Sequence, residues 1–187
     1  MINVVDLKRM IRYFSLGVLS VLLLFAGGAM LLPSEYNVKE HVYINAPRSA
    51  VFPYIENLRK WNDWAFKLEE EGSRLSPEYH GPDEGAGAMH TWMSYDGSSA
   101  ELRVLESEPY DKVHLQMSTN EGTFISEMIF TLEKSGEGTL VTWNEKGDFG
   151  FQLVTRVIAF VADYETKVGE QYKAALEELK KASESNS

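Results

Sequence analysis

FQLVTRVIAFVADYETKVGEQYKAALEELKKA, residues 151–182, reads as one long helix. Phe151, Val154, Ile158, Val161, Val168, Tyr172, Ala175 and Leu179 advance in steps of three or four, with one wider step of seven. That spacing puts side chains on one helical face. Leu153, Val157, Phe160 and Tyr164 add a second apolar stripe to the first half. A helix apolar over most of its girth must be enclosed on several sides. A strongly curved sheet wrapped around it is one arrangement that does so. The second half, ending Glu177-Glu178-Leu179-Lys180-Lys181, is ordinary amphipathic surface.

The chain before this helix supplies the strands. Val38, Val42 and Ile44 alternate with polar neighbours and predict a first strand. Pro47 then opens a helix in which Val51, Ile55 and Leu58 fall at helical spacing, with Pro53 near its first turn, and a second short helical piece covers Trp61 to Leu68 and ends at Glu69-Glu70-Glu71-Gly72. From Arg74 onward the pattern is β, with strands near 74–79, 87–95, 99–107, 112–118, 123–133 and 139–146. Turn sequences separate them: Gly81-Pro82-Asp83, Asp96-Gly97, Pro109-Tyr110-Asp111, Asn120-Glu121-Gly122 and Ser135-Gly136-Glu137-Gly138. The alternation of Val113, Leu115 and Met117, and of Ser126, Met128, Phe130 and Leu132, predicts an antiparallel sheet covered on one face. The fold class is therefore α+β, a sheet of about seven strands with a long C-terminal helix.

At the other end, Tyr13 to Leu32 is a run of 20 uncharged residues. As a helix it is about 30 Å long, the thickness of a bilayer's hydrocarbon core. Lys8, Arg9 and Arg12 precede it. A secretory signal would share that basic start, and Ala26-Gly27-Gly28-Ala29 would suit a peptidase. The run is long for a signal, however, and Met30-Leu31-Leu32 carry it past the small residues, as in a retained anchor. The basic flank predicts a cytoplasmic N-terminus and a domain in the periplasm or outside the cell. The expected organisation is a basic segment 1–12, a transmembrane helix 13–32, a tether 33–35, a globular domain 36–181 and a disordered tail 182–187.

Charge narrows the function. The chain carries 18 basic and 28 acidic residues; without residues 1–35 these become 15 and 26, a net charge of −11. Such a domain repels phosphate backbones, so nucleic acid is not an expected partner. There is no cysteine, hence no disulfide framework and no thiolate chemistry. The four histidines show no metal-ligand spacing, and no cofactor or metal is expected.

Several stretches taken in order resemble the START-like superfamily, in particular its polyketide cyclase/dehydrase and lipid-transport branch. They are Ile44-Asn45-Ala46-Pro47, Trp61-Asn62-Asp63-Trp64, Tyr79-His80-Gly81-Pro82 with Gly85-Ala86-Gly87-Ala88 leading into Trp92, Glu108-Pro109, and Gly138-Thr139-Leu140-Val141-Thr142-Trp143. The resemblance covers residues 36–181. It implies a helix-grip fold, in which a seven-stranded antiparallel sheet curls around the C-terminal helix and encloses an apolar cavity. It does not by itself assign an activity.

Candidate ligand-binding residues follow from an apolar space between sheet and helix. Trp61 and Trp64, three apart, either gate its mouth or pack the short helix onto the sheet. Trp92 and Trp143 lie on strands and either line the space or fill the core. Met89, Met93, Met117 and Met128 suit a pocket of variable shape, though Met also fills ordinary gaps. Phe130 follows Met128 inward, and Ile158 and Val161 face the space from the helix. Glu165 is either a ligand-facing carboxylate or a solvated flank. His90, Glu145 and Glu165 are the only acid/base candidates, since no nucleophile motif is present. The leading expectation is a membrane-anchored module that binds a hydrophobic small molecule or lipid. The alternatives are a cyclase or dehydratase using the same cavity, and an envelope protein-interaction domain.

Overall fold

The structure is a computed structural model that describes residues 4–66, 74–94 and 97–185, with side chains from residue 8 and, in the second stretch, from residue 77. Its first element, α1 (Val4–Met30), contains most of the uncharged run. Pro33 follows, and β1 (Glu35–Ile44) leads to α2 (Arg48–Glu56) and a 3-10 helix (Leu58–Asp63). Six strands come next: β2 (Arg74–His80), β3 (Met89–Ser94), β4 (Ser99–Glu108), β5 (Lys112–Thr119), β6 (Phe124–Ser135) and β7 (Gly138–Asp148). The chain closes with α3 (Leu153–Val161) and α4 (Tyr164–Glu184).

All seven strands join one curved antiparallel sheet in the order β1-β7-β6-β5-β4-β3-β2. Consecutive strands pair as neighbours from β2 to β7, and only β1 returns from a distance. The register shifts between Val104 and Glu106 and between Leu75 and Glu78. Such bulges increase local twist and help a sheet curl. Alternation fixes the covered face: Val38, Val42, Ile44, His90, Trp92, Leu102, Val104, Val113, Leu115, Met128, Phe130, Leu132, Val141 and Trp143 are all buried. Val51, Phe52 and Ile55 of α2 and Leu176 and Leu179 of α4 join all of these except Val38 and His90 in one core.

Three sequence expectations need correction. The long helix is broken in two, because Asp163 adopts a left-handed conformation (φ 50°, ψ 58°) between α3 and α4. Asp tolerates that region better than most residues, since its short side chain can bond locally. The helix also runs on through Ala182 to Glu184, into the stretch expected to be a disordered tail. Pro53 stands well inside α2, not in its first turn. The expected helix end at Glu69–Gly72 lies outside the described residues.

The break divides the chain into two compact units. One contains the N-terminal helix up to Ser34 together with Phe149–Ala162; the other contains Glu35–Asp148 and the chain from Asp163 onward. In the first, α3 packs on α1, and the Phe149 N–H donates to the Ser34 carbonyl at 2.8 Å. In the second, α4 packs chiefly on β1, an edge strand. Glu165 accepts from the Asn37 N–H (2.8 Å) and Glu184 from the Asn45 N–H (2.7 Å), so α4 satisfies donors at both ends of that edge. Gly169 permits the close approach: a Cβ there would stand 3.0 Å from Glu40 Oε1.

Gly81 tests the turn chemistry of the β2–β3 connection. Its φ is +77°, and an added Cβ would lie 2.3 Å from the Gly87 carbonyl oxygen. Gly81→Ala is expected to cost about 2 kcal/mol or more, read as a lower thermal unfolding midpoint of the detergent-solubilised chain. An unchanged midpoint would show that the loop relaxes freely.

Candidate functional site

The sheet unit contains a cavity of about 840 Å³. Five adjacent strands each send one inward side chain to its lining: Trp92 from β3, Leu102 from β4, Met117 from β5, Met128 from β6 and Trp143 from β7. Trp61, Ala65 and Phe66 cover it from the 3-10 helix and the residues after it. Tyr172, Ala174 and Ala175 of α4 form the remaining wall. Lys167, Glu170 and Gln171 are exposed and stand on the same helix at the rim.

Indole chemistry explains how the cover is held. Trp61 donates from Nε1 to the Ile55 carbonyl and Trp64 to the Tyr54 carbonyl, both at 2.9 Å. Buried indoles need such partners. Both N–H groups are thereby tied to α2. Trp61 lines the cavity, while Trp64 is fully buried behind it against Phe130 and Trp143 (ring centroids 6.0 and 5.9 Å). Phe130 belongs to the same cluster, 5.7 Å from Trp61 and 4.9 Å from Trp143.

One wall is pinned by a polar cluster. The Tyr172 ring stacks on Trp143 at 3.7 Å, and its hydroxyl donates to Oε2 of the buried Glu145. Tyr36 donates to the other carboxylate oxygen at 3.0 Å. Tyr164 meets Tyr36 edge to face at 5.0 Å. Burial first, and then the Glu145 charge, push the Tyr36, Tyr164 and Tyr172 phenols above the usual tyrosine range. The phenols therefore stay protonated, and those of Tyr36 and Tyr172 act as donors to the carboxylate.

Among the expected site residues, Trp61, Trp92, Met128 and Trp143 come together on the lining. Met89 does not: His90 and Trp92 face inward on β3, so alternation turns Met89 to the opposite face, where Arg103 approaches its sulfur at 3.2 Å. Ile158 and Val161 lie on α3, in the other unit, because the turn at Asp163 takes them off the α4 face. Glu165 caps the β1 edge and is absent from the lining. His90 is buried among Tyr79 (4.3 Å), Trp92 (4.8 Å) and Phe66 (5.6 Å), also outside the lining. Met117 is one of the strand methionines read as suited to a pocket, whereas Leu102 and Tyr172 were legible only as inward positions of regular elements. Ala65 and Phe66 gave no periodic signal of their own. Among the described residues, no three His, Asp or Glu side chains gather as a metal site.

A seven-stranded antiparallel sheet, a C-terminal helix across one side and an apolar cavity between them define a helix-grip protein. The chain belongs to the polyketide cyclase / dehydrase and lipid transport family, whose profile matches residues 36–184. A comparison with curated protein sequences gave no match. Solved structures share the fold at low identity. CV1439 from Chromobacterium violaceum is 13% identical over 79% of this chain and 97% of its own (TM-score 0.57). SA2116 from Staphylococcus aureus, described as of unknown function, is 8% identical over 81% and 95% (TM-score 0.59). DynU16, from the dynemicin biosynthetic locus, is 16% identical over 78% of this chain (TM-score 0.53), and the chain spans 46% of that protein's length. Identities this low carry the fold and nothing about ligands.

The raised phenols set a pH test. A proton held more tightly in the folded state stabilises it fully below the ordinary tyrosine value of 10.0; that stability is lost as pH rises above it. At pH 11, Tyr36→Phe and Tyr172→Phe are expected to leave the phenolate absorbance of the folded chain unchanged. A drop in either would place that phenol among the ionising ones. Tyr172→Phe also removes a donor from a buried carboxylate and is expected to cost about 1–3 kcal/mol in denaturant unfolding.

Proposed function

We propose that the chain is a membrane-anchored module that binds a hydrophobic small molecule or lipid in the cavity between the α4 wall, the Trp61–Phe66 cover and the sheet. The observation that carries this reading is the cavity: about 840 Å³, with an aromatic and methionine lining. Ligand sites typically occupy about 300–1,000 Å³ and are mostly apolar. Binding follows from burial: roughly 300 Å² of apolar ligand surface contributes about 7 kcal/mol before ordering costs. Lys167, Glu170 and Gln171 at the rim suit a ligand with a polar end left near water.

α1 supports the anchor. It is long and apolar enough to cross a bilayer, and apart from Ala26 and Ala29 its side chains along the span are exposed. With Lys8, Arg9 and Arg12 on the N-terminal side, the positive-inside rule puts that end in the cytoplasm and the cavity domain beyond the membrane. The family description includes both cyclase chemistry and lipid transport. The carrier reading is favoured because His90, Glu145 and Glu165 all lie outside the cavity lining.

Ala175 is buried and borders the cavity. Ala175→Trp is expected to occupy the space and lower retention of co-purified ligand by about tenfold, measured by native mass spectrometry after mild detergent extraction. Circular dichroism would confirm that the variant folds. A wild-type chain that leaves the membrane with no bound small molecule, and binds an apolar fluorescent probe no better than A175W, would end the carrier reading.

A further inference from the structure

The segment Phe149–Ala162 contains a single ionisable side chain, Arg156. Its guanidinium is directed into its own unit. Nε donates to the Gly150 carbonyl at 2.7 Å, Nη2 donates to the same oxygen, and Nη1 donates to the Leu32 carbonyl at 3.3 Å. Leu32 lies just past the end of α1, where helical carbonyls have no partner within the helix. Thr155 Oγ1 donates to Gln152 Oε1 (3.4 Å), and the Gln152, Leu153 and Arg156 N–H groups reach the Phe149, Phe151 and Gln152 carbonyls. The polar groups of this segment are thus turned inward.

Its apolar groups are turned outward. No residue of α3 is buried. Phe151, Val154, Ile158 and Val161, spaced three, four and three apart, form one stripe, with Phe151 86% and Val161 78% exposed. Water does not favour such a face. A bilayer accepts such a face when backbone and charge are satisfied internally, and Arg156 and the N–H groups just named find their partners within the unit. The stripe also continues an apolar surface already present, because α3 packs on α1 and is tied to it just beyond Leu31, itself 87% exposed.

We infer that α3 is a second membrane element, seated in the lipid leaflet around the C-terminal end of α1, with Phe151, Val154, Ile158 and Val161 in acyl chains. The inference rests on the anchor reading of α1. The partner is the lipid bilayer, and the chain holds it at two points. Ala162 and Asp163 alone separate α3 from α4 in the chain.

The absence of cysteine allows single labels in the full chain. Leu22→Cys in α1, Val154→Cys, Ile158→Cys and Val161→Cys in α3, and Glu133→Cys on the exposed outer face of β6 would each carry a nitroxide, in nanodiscs of phosphatidylethanolamine and phosphatidylglycerol. Collision with oxygen and with a water-soluble nickel chelate reads depth. Labels at Leu22 and at the three α3 positions are expected to show an oxygen-to-nickel ratio on the order of tenfold above Glu133. If Leu22 behaves so while the α3 labels match Glu133, α3 is in water and the inference fails with the anchor intact. α3 labels shielded from both reagents would mean a protein surface covers the stripe, which also overturns it. Nickel access at Leu22 would overturn the anchor and the inference together.

Discussion

Glu145 is a carboxylate placed on the covered face of the sheet, and the arrangement of the binding unit depends on how it is kept there. A buried charge is tolerated only with hydrogen-bond partners. Its two donors come from opposite sides: Tyr36 from β1 and Tyr172 from α4. The carboxylate therefore ties three elements together, and the Tyr172–Trp143 stack fixes how close the helix may come. The Glu165 and Glu184 caps hold α4 over β1. With the helix committed to that side, Trp92, Leu102 and Met117 of β3, β4 and β5 border the cavity. The cavity is a result of where α4 is tethered.

Much of this was readable from the sequence. Period-two alternation and Gly- or Asn-containing turns located all seven strands to within a few residues, because Gly81, Tyr110, Asn120, Glu121, Gly122 and Gly136 do adopt positive φ. The inward faces of β6 and β7 gave Met128, Phe130 and Trp143 directly. The break at Asp163 was harder. The apolar periodicity takes a step of seven between Val161 and Val168, and that gap marks the joint. A left-handed Asp is a tertiary choice that local propensity does not announce. On the phase of one continuous helix Ile158 and Val161 face the cavity, whereas the joint places them in the other unit. The misplacement of Met89 was avoidable, since His90 and Trp92 on one face exclude it by alternation.

The same break accounts for the unusual apolar girth of residues 151–161. One helix asked to bury both stripes would need sheet on nearly every side. Two helices need less: α4 carries an ordinary amphipathic pattern to the sheet, and α3 is grouped with the N-terminal helix. Sequence periodicity reported the amount of apolar surface correctly and its destination incorrectly.

Both borders of the sheet are finished. β1 is roofed by α4, and β2 carries Pro77 beside an irregular register, which deprives a neighbouring strand of a regular ladder. Anchored by its first helix as proposed, the chain would diffuse in two dimensions, where like molecules meet more often than in solution. Finished borders would then work against strand exchange in those encounters.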